Sequence, residues 1–594
     1  MRVLGAGRGK EARIPTLSVS REWLITPPHA EREAFARSAG VSPLIAQLLL
    51  NRGVSDPARV RPFLEVSPSE LLQPETLPGA VEAADRLATA VRNRRRIVIY
   101  GDYDVDGVTA ITILWHALRL AGADVHYYVP SRLDEGYGLN AAALEQIAAD
   151  GGQLVISVDC GITAVEPVRA GKAAGLEIIV SDHHQAQDAL PEADVLVHPV
   201  ALGPSPNPHL SGAGVAFKIA WALCQRLSGT SKVPSPFREF LVEATAFVAL
   251  GLIADVVPLV GENRVLASFG LHQLARSSNA GLRALIEVSG LAERRSCDDY
   301  DAGFILAPRL NAIGRLGHAR LAVELFTRAD AERAREIAST LDQQNRKRQE
   351  LEKQISRQAE AQVIERGFDR ESCRGIVLAS PDWHPGVIGI VASRLVERFH
   401  RPTILIALDD QLGQGSGRSV RHFPLHEALS ACSAHLVSHG GHAMAAGVKI
   451  RPDRVEAFTD AFLAQASQRL TAVDLRPCLR LDDEVSLGAL TLDVAETLQK
   501  LAPFGEGNPR PRLATGAVQL VDSPRVVGKA GTHLQLSVRE NGHVRKCIAF
   551  GRAADALEMA EHRTVRLAFE PIINEWNGRR SVELRVLDWK PGES

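Results

Sequence analysis

Between about residues 80 and 200, the sequence alternates short apolar runs with amphipathic segments. The apolar runs are rich in β-branched residues and predict strands at 96–100, 124–129, 154–158, 176–180 and 195–198. The segments between and before them have helical periodicity at 81–92, 108–120, 140–149 and 165–174. Strands that are apolar throughout are buried on both faces, so the pattern predicts an α/β domain with a mostly parallel sheet. Ligands bind such sheets beyond the carboxyl ends of the strands.

Acidic residues and histidines follow three of these predicted strands. The loop Asp102-Tyr103-Asp104-Val105-Asp106-Gly107 follows the first strand, Asp159 the third and Asp182-His183-His184 the fourth. A further aspartate, Asp255, follows the apolar run 246–253. Carboxylates and imidazoles without a thiolate suit Mn²⁺ or Mg²⁺ better than a structural zinc ion. The set therefore predicts a site for two divalent metal ions, which can activate water against a phosphodiester.

Each of these segments also has an ordinary explanation when it is taken alone. The loop 102–107 suits a helix N-cap with a polar turn, and the Asp-His-His segment suits a polar loop. Asp159 and Asp255 stand at positions where aspartate is common. The metal site is favoured because all four segments occur in one chain.

Charge and cysteine content limit the function classes. The chain has 68 basic and 70 acidic residues, so nucleic-acid binding would need a local basic lining. Its seven cysteines are scattered without a CxxC pair, which argues against a zinc site or a disulfide framework and predicts a cytoplasmic location. No apolar run is long enough to span a membrane, and residues 1–14 lack the apolar core of a secretory signal.

The rest of the 594-residue chain predicts further domains. Residues 214–326 read as mainly helical, and 331–366 as one long charged helix that bridges domains. A second α/β region follows, with strands at 375–379 and 403–407, a helix at 389–398, and glycine-rich turns at 413–419 and 440–447. Short alternating segments after about residue 475 predict a small β-barrel of the OB type.

These features divide the chain into five parts. They are a disordered or lead-in segment at 1–34, a first α/β domain at 35–328, the linking helix at 329–368, a second α/β domain at 369–473 and the OB-like nucleic-acid-binding domain at 474–594.

The motifs together resemble the DHH phosphoesterase superfamily. The resemblance lies in the order DYDVDG, SVD, SDHH and ADVVPL, followed by Pro308-Arg309-Leu310-Asn311-Ala312-Ile313-Gly314-Arg315. The segments 415–419 (GSGRS) and 440–447 (GGHAMAAG) are similar to its companion DHHA1 domain. The long helix and the OB-like region narrow the resemblance to the RecJ family of single-strand-specific 5′→3′ DNA exonucleases.

The resemblance implies roles for the clustered residues. It implies that the metal ligands are Asp104, Asp106, Asp159, His183 and Asp255, with Asp159 a candidate for bridging two ions. The remaining catalytic candidates are Asp102, Asp182 and His184: Asp102 would ligate or support the loop, Asp182 would orient its neighbours, and His184 would contact the scissile phosphate or a metal.

Candidates for phosphate and DNA binding come from the same motifs and from a segment around Arg132. They are Arg132, Arg309, Asn311, Arg315, Ser416, Arg418 and His442. Guanidinium groups bind phosphate in a bidentate manner, although a surface or ion-paired role is the more common one for a single arginine. The turn Ser211-Gly212-Ala213-Gly214 suits either a phosphate site or an ordinary N-cap. Candidate base-stacking aromatics are Tyr137, Phe423, Phe504 and Trp576.

The resemblance implies a metal-dependent exonuclease that degrades single-stranded DNA 5′→3′ to 5′-mononucleotides in DNA repair and recombination. It would be a monomer that uses two Mn²⁺ or Mg²⁺ ions, with a single-strand-binding protein and a helicase as candidate partners and no membrane association. Two alternatives stay open. One is a phosphodiesterase for oligoribonucleotides or cyclic dinucleotides, and the other is a non-catalytic DNA-binding replication scaffold.

Overall fold

The computed structural model describes residues 21–130, 135, 138–316 and 319–592. Its N-terminal segment contains β1 (Glu22–Ile25), α1 (Arg32–Ala39), α2 (Pro43–Asn51) and α3 (Val60–Leu64). Ser42 caps α2, because its hydroxyl accepts a hydrogen bond from the N–H of Ile45 at 3.3 Å. Buried side chains of α1 and α2 pack in one core with side chains from the far end of the chain, such as Leu536 and Phe569.

The first α/β domain follows the predicted alternation. It contains α4 (Ala80–Arg92), β2 (Arg96–Gly101), α5 (Val105–Leu120), β3 (Asp124–Tyr128), α6 (Ala141–Ala149), β4 (Leu154–Val158), α7 (Val165–Ala173), β5 (Glu177–Ser181) and β6 (Val195–Val197). All pairs in its five-stranded sheet, ordered β3-β2-β4-β5-β6, are parallel. β4 is buried along its whole length and β2 is buried beyond its first residue, Arg96, which explains their continuous apolar sequence. The predicted fold class is confirmed.

A helical part completes this domain. It contains α8 (Gly212–Ser228), α9 (Phe237–Ala254), α10 (Gly261–Leu274), α11 (Ala280–Val288), α12 (Ala307–Leu316) and α13 (Arg320–Thr327). A π-helical turn, Asp301–Leu306, runs directly into α12. Helices α5, α8 and α9 share the domain's main core with the parallel sheet, so they hold the carboxyl edge of that sheet in place.

The long helix α14 (Ala331–Glu365) connects the two α/β domains as predicted. The second domain contains β7 (Ile376–Ser380), α15 (Pro385–Phe399), β8 (Thr403–Ala407), β9 (Gly413–Arg418), α16 (Leu425–Ala431), β10 (Ser438–Gly441), β11 (Ala445–Ile450) and α17 (Val455–Arg469). The strand order is β10-β11-β9-β8-β7. Ion pairs fix α14 to both domains: Asp342 pairs with Arg309 at 3.0 Å on one side, and Glu352 pairs with Arg394 on the other.

The glycine-rich segment 413–419 is mostly a strand where the sequence predicted a turn, whereas 440–447 does contain the turn that joins β10 to β11. Residues 413–418 form β9, which lies between β8 and β11 in the middle of the sheet. Glycine is required there because neighbouring side chains occupy the space: a Cβ on Gly415 would lie 2.4 Å from Cγ2 of Val448. The prediction failed because glycine is read as a turn signal, whereas here it admits side chains from adjacent strands.

The C-terminal domain is a closed barrel. It contains β12 (Cys478–Leu481), β13 (Asp483–Glu484), α18 (Leu492–Gln499), β14 (Leu513–Ala514), β15 (Val518–Leu520), β16 (Arg525–Val527), β17 (His533–Glu540), β18 (His543–Ala549), α19 (Ala556–Ala560), β19 (Thr564–Trp576) and β20 (Arg579–Pro591). Pairing runs β19-β15-β17-β18-β20 and returns to β19, which closes the ring expected of an OB-type barrel. β12 pairs in parallel with β1. Among the described residues, no helix is both long and apolar enough to cross a membrane.

Candidate metal centre and nucleic-acid interface

Carboxylates and imidazoles meet at the carboxyl edge of the parallel sheet. Asp102 follows β2, Asp159 follows β4 and Asp182-His183-His184 follows β5, while Asp255 comes from the C-terminus of α9. The Nε2 atom of His183 lies 3.0 Å from Oδ1 of Asp159 and 3.6 Å from Oδ2 of Asp255. The same atom lies 3.7 Å from Oδ2 of Asp106. Three carboxylates therefore converge on one imidazole nitrogen, although their residues are far apart in sequence.

The loop 102–107 is held by its own helix and by α12. Asp104 is the N-cap of α5, since its Oδ1 accepts hydrogen bonds from the N–H groups of Asp106 and Gly107 at 2.9 and 3.1 Å. Asn311 in α12 accepts a hydrogen bond from the N–H of Val105 at 3.2 Å. The N-cap reading is thus correct for Asp104, and it coexists with membership of the carboxylate cluster.

The N-terminus of α8 binds the carboxylate of Asp106. The hydroxyl of Ser211 and the N–H of Ala213 donate to Oδ1 at 2.8 and 3.0 Å, and the N–H of Gly212 donates to Oδ2 at 2.5 Å. Ser211 also caps the helix by accepting from the N–H of Gly214. The helix end thus satisfies its free N–H groups with an aspartate of the cluster, rather than with a phosphate.

The backbone of Gly212 lies close against the side chain of Asp159. A Cβ on Gly212 would lie 2.5 Å from Cβ and 2.6 Å from Oδ1 of Asp159, so no larger residue fits at position 212. Asp159 itself has φ of 60°, an uncommon backbone conformation for a residue with a side chain. Such outliers occur where surrounding structure imposes them, often at functional sites.

Asp182 orients the two histidines. Its Oδ1 accepts from the N–H of His183 at 2.7 Å and from both the N–H and Nδ1 of His184 at 3.1 and 2.8 Å. Its Oδ2 accepts from the N–H of Ile162 at 3.0 Å. Oδ1 therefore positions the segment that carries the histidines, and Oδ2 anchors Asp182 to the loop after β4.

His198, which no sequence motif singled out, supports the same segment. Its Nδ1 accepts from the N–H groups of Val200 and Ala201, both at 3.0 Å. The ring proton is therefore on Nε2, which donates to the carbonyl of His184 at 2.8 Å. Burial also lowers the pKa of His198 and favours this neutral form. The available signal was its position directly after β6.

The electrostatics of the cluster disfavour several negative charges at once. Burial, with repulsion from neighbouring carboxylates, raises the pKa of Asp159 well above its usual value and also raises that of Asp104. The same two causes raise the pKa of Asp255 to about 8. Burial opposes the charged form of His184, but the hydrogen bond and charge of Asp182 outweigh it and raise the pKa of His184 to about 9. A cation in the cluster would relieve this repulsion.

Among the residues that the structure describes, the ligand atoms form three groups, and within each group all atoms lie within 4.8 Å of one another. The groups are Asp159–His183–His184, Asp106–His183–Asp255 and Asp102–Asp104–Asp159. All donors are carboxylate oxygens or imidazole nitrogens, which fits Mn²⁺ or Mg²⁺.

Three phosphate-binding candidates meet where the two α/β domains touch, at the first turns of α15. Arg315 donates from Nη1 to the carbonyl of Gly386 at 3.2 Å. Arg418 donates to the hydroxyl of Ser416 at 3.1 Å. A Cβ on Gly389 would lie 2.8 Å from that hydroxyl and 3.2 Å from Nη2 of Arg418. The structure therefore links candidates from both domains through one helix end.

The other candidates lie apart from this group. Arg309 is half-buried and donates from Nε to Asp342 at 3.0 Å, so its guanidinium is engaged with the linking helix. His442 is exposed in the turn between β10 and β11. Arg132 lies outside the described residues.

The candidate aromatics differ in accessibility. The prediction that Phe423 stacks on bases is wrong, because Phe423 is 1% exposed and packs on Phe462 in the core of the second domain. Arg421 and His422, which precede it, are polar, so the sequence gave no sign of this burial. Trp576 is 73% exposed at the tip of the β19–β20 hairpin, whereas Phe504 is partly buried. Tyr137 lies outside the described residues.

Comparison with known proteins identifies the family. Three family models match in succession: the DHH family N-terminal domain at 96–246, the DHHA1 domain at 374–468 and the RecJ OB domain at 481–588. The single-stranded-DNA-specific exonuclease RecJ of Bacillus subtilis is 36% identical over 576 residues, which cover 96% of this chain and 71% of that protein. The chain belongs to the RecJ family. The RecJ of Dickeya dadantii is 37% identical over 557 residues, which cover 91% of this chain and 95% of that protein.

A solved RecJ structure has the same overall fold. The crystal structure of RecJ from Thermus thermophilus in complex with Mn²⁺ superposes with a TM-score of 0.81 at 33% identity, covering 96% of this chain and 80% of that one. Within the RecJ framework, Asp102 through His184 lie inside the DHH match, and Ser416 and Arg418 lie inside the DHHA1 match. Asp255 and Asn311 fall between the matched ranges, yet the fold brings both to the cluster.

Proposed function

We propose that this protein is a metal-dependent exonuclease that degrades single-stranded DNA from its 5′ end to 5′-mononucleotides. The observation that carries the proposal is the convergence of carboxylates from Asp106, Asp159 and Asp255 on Nε2 of His183. Membership of the RecJ family, whose named relatives are single-stranded-DNA-specific exonucleases, supplies the substrate class.

The proposed metal ligands are those implied by the resemblance: Asp104, Asp106, Asp159, His183 and Asp255. Two ions are proposed because Asp159 belongs to two of the three ligand groups and can be shared between them. RecJ from Thermus thermophilus has been crystallised with Mn²⁺ and with Mg²⁺, which supports either metal. When bound, the ions would supply an activated water and charge stabilisation for the phosphodiester.

The chain's own residues would prepare the reacting groups. Asp182 holds His184 by accepting a hydrogen bond from its Nδ1, which orients the ring so that the protonated imidazole would donate to a phosphate oxygen. The raised pKa of His184, about 9, keeps this proton in place at neutral pH. Asp102 would support the loop 102–107 or add a ligand, since it belongs to one of the three groups.

The phosphate chain would be bound between the two α/β domains. Arg418 and Ser416 on β9 face the first turns of α15, and Arg315 contacts that same helix from the other domain. Guanidinium groups there could bind a terminal 5′-phosphate, which would set the polarity of digestion. The OB-type barrel favours a long single strand over a dinucleotide as substrate.

Several further assignments belong to the same proposal. They are a monomeric state, a cytoplasmic location suggested by seven unpaired cysteines, candidate partners in a single-strand-binding protein and a helicase, and the domain boundaries at residues 34, 328, 368 and 473.

The test is digestion of 5′-labelled single-stranded DNA with Mn²⁺ or Mg²⁺, beside duplex DNA, an RNA dinucleotide and a cyclic dinucleotide. We expect release of labelled mononucleotide from the single strand alone. Asp159→Ala should abolish release, whereas Asp188→Ala, an exposed aspartate in the loop after the histidines, should not. Metal-independent activity, or an active Asp159→Ala protein, would refute the proposal.

A further inference from the structure

Two exposed aromatic rings are stacked on each other on the turn that precedes α12. The rings of Tyr300 and Phe304 have centroids 5.1 Å apart with an angle of 21° between their planes. Their side chains are nevertheless 57% and 72% exposed. Large aromatic side chains normally contribute to a core, so a stacked pair that faces water points to a binding surface.

The backbone that carries these rings is also unusual. Residues Asp301–Leu306 form a π-helical turn, in which the N–H of Ala307 bonds to the carbonyl of Ala302. Such turns are rare and frequently occur at functional sites. The turn continues into α12, so Asn311, which holds the loop 102–107, lies about 10 Å further along the same helix.

One side of the pair adjoins the carboxylate cluster. A Cβ on Gly303 would lie 3.2 Å from Cγ2 of Ile253, so the π-helical turn rests on the last turn of α9. Asp255 is the C-cap of that helix, two residues further on. The turn that carries the two rings is therefore in contact with the helix that ends at Asp255.

The other side of the pair is joined to the C-terminal domain. Asp299 forms an ion pair with Arg510 at 3.1 Å, and the Arg510 guanidinium lies 4.5 Å from the ring centre of Phe504. On the opposite flank, Asp301 pairs with Arg294 at 2.6 Å. Asp299 and Asp301, next to the rings, are thus each paired with an arginine, which reduces their repulsion of a phosphate chain.

We infer that Tyr300 and Phe304 form a base-stacking platform for the single strand as it passes from the C-terminal domain to the metal centre. The inference rests on the proposed function and adds a determinant of its specificity. Every unpaired base offers a π-face to such a platform, whereas bases within a duplex are already stacked on one another. The platform would therefore favour single strands without reading their sequence.

Steady-state digestion tests the inference with a single strand of about 30 nucleotides, longer than the roughly 4–16 nucleotides that one OB-type fold covers. We expect the double variant Tyr300→Ala/Phe304→Ala to raise KM about tenfold or more, with kcat largely unchanged. Tyr300→Phe/Phe304→Tyr should restore KM because it keeps two rings. Leu557→Ala, which removes an 83% exposed side chain from the C-terminal domain, is the control.

A binding measurement separates this inference from the proposed function. 2-Aminopurine, whose fluorescence is quenched by stacking, is placed at successive positions from the 5′ end, and quenching is recorded in EDTA so that the strand is not cut. We expect one short window of quenching that the alanine variant loses. An unchanged window and unchanged KM would overturn the platform. Quenching without cleavage by the wild-type protein would instead refute the exonuclease and retain the platform.

Discussion

Asn311 accepts a hydrogen bond from the backbone N–H of Val105 at 3.2 Å and thereby ties α12 to the loop that carries Asp104 and Asp106. Val105 is buried, so removal of the acceptor leaves its N–H unsatisfied at a cost of about 1–3 kcal/mol. We expect Asn311→Ala to lower the free energy of unfolding by that amount. Activity should fall about tenfold or more, because the loop positions proposed metal ligands. Urea unfolding and the Mn²⁺ dependence of digestion measure the two effects.

Asn574→Ala is the matched control for this change. It removes a side-chain amide that donates to Glu583 at 2.8 Å on the β19–β20 hairpin, away from the cluster. The two variants should differ in activity; equal activities would mean that the Asn311 contact has no role in the site.

Gly212 provides a second test, because a methyl group there would overlap the side chain of Asp159. We expect Gly212→Ala to displace the Asp159 carboxylate and lower the digestion rate about 100-fold, the scale of loss that small misplacements at reacting groups produce. Gly516→Ala is the control, since its new Cβ would meet nothing closer than 3.8 Å. The interpretation fails if the Gly212 variant binds Mn²⁺ and digests DNA like the wild type.

The order of strands and helices could be predicted from local sequence patterns. The strand 154–158 and the acidic residues after it could be read from the sequence, because a buried parallel strand needs an unbroken apolar run. Contacts between distant segments could not be read in this way. The core shared by Phe35 and Phe569 and the support that His198 gives to His184 depend on tertiary packing, which no sequence period encodes. The exposed stack of Tyr300 on Phe304 could not be predicted for the same reason.

The raised pKa of Asp255, about 8 without metal, predicts how metal binding depends on pH. Below that pH Asp255 is protonated, and a metal ion must displace the proton to bind the carboxylate. We therefore expect Mn²⁺ affinity to fall as the pH falls below about 8, by up to about tenfold per pH unit for each proton displaced. Calorimetry in two buffers of different ionisation enthalpy counts the released protons. Binding of Mn²⁺ to the Asp255→Asn variant should release fewer protons than binding to the wild type. A Mn²⁺ affinity that does not change with pH across this range would contradict the prediction.

Arg309 forms an ion pair with Asp342, so its role is either to hold the linking helix or to bind DNA. Its Nε lies 3.0 Å from Oδ1 of Asp342, so the contact can hold the linking helix against α12. We expect Arg309→Ala and Asp342→Ala each to lower the free energy of unfolding. In the double variant the losses should fall short of their sum by about 1–3 kcal/mol, as measured by urea unfolding.

Arg346 supplies the matched control, because it pairs with the same carboxylate at 2.7 Å but is 73% exposed. Arg346→Ala should cost no more than about 1 kcal/mol. A DNA-binding role for Arg309 predicts something different: Arg309→Ala alone would raise KM for DNA and weaken its salt dependence, and Asp342→Ala would not. Equal KM values for the two variants, together with the coupling in unfolding, would assign Arg309 to the helix rather than to the substrate.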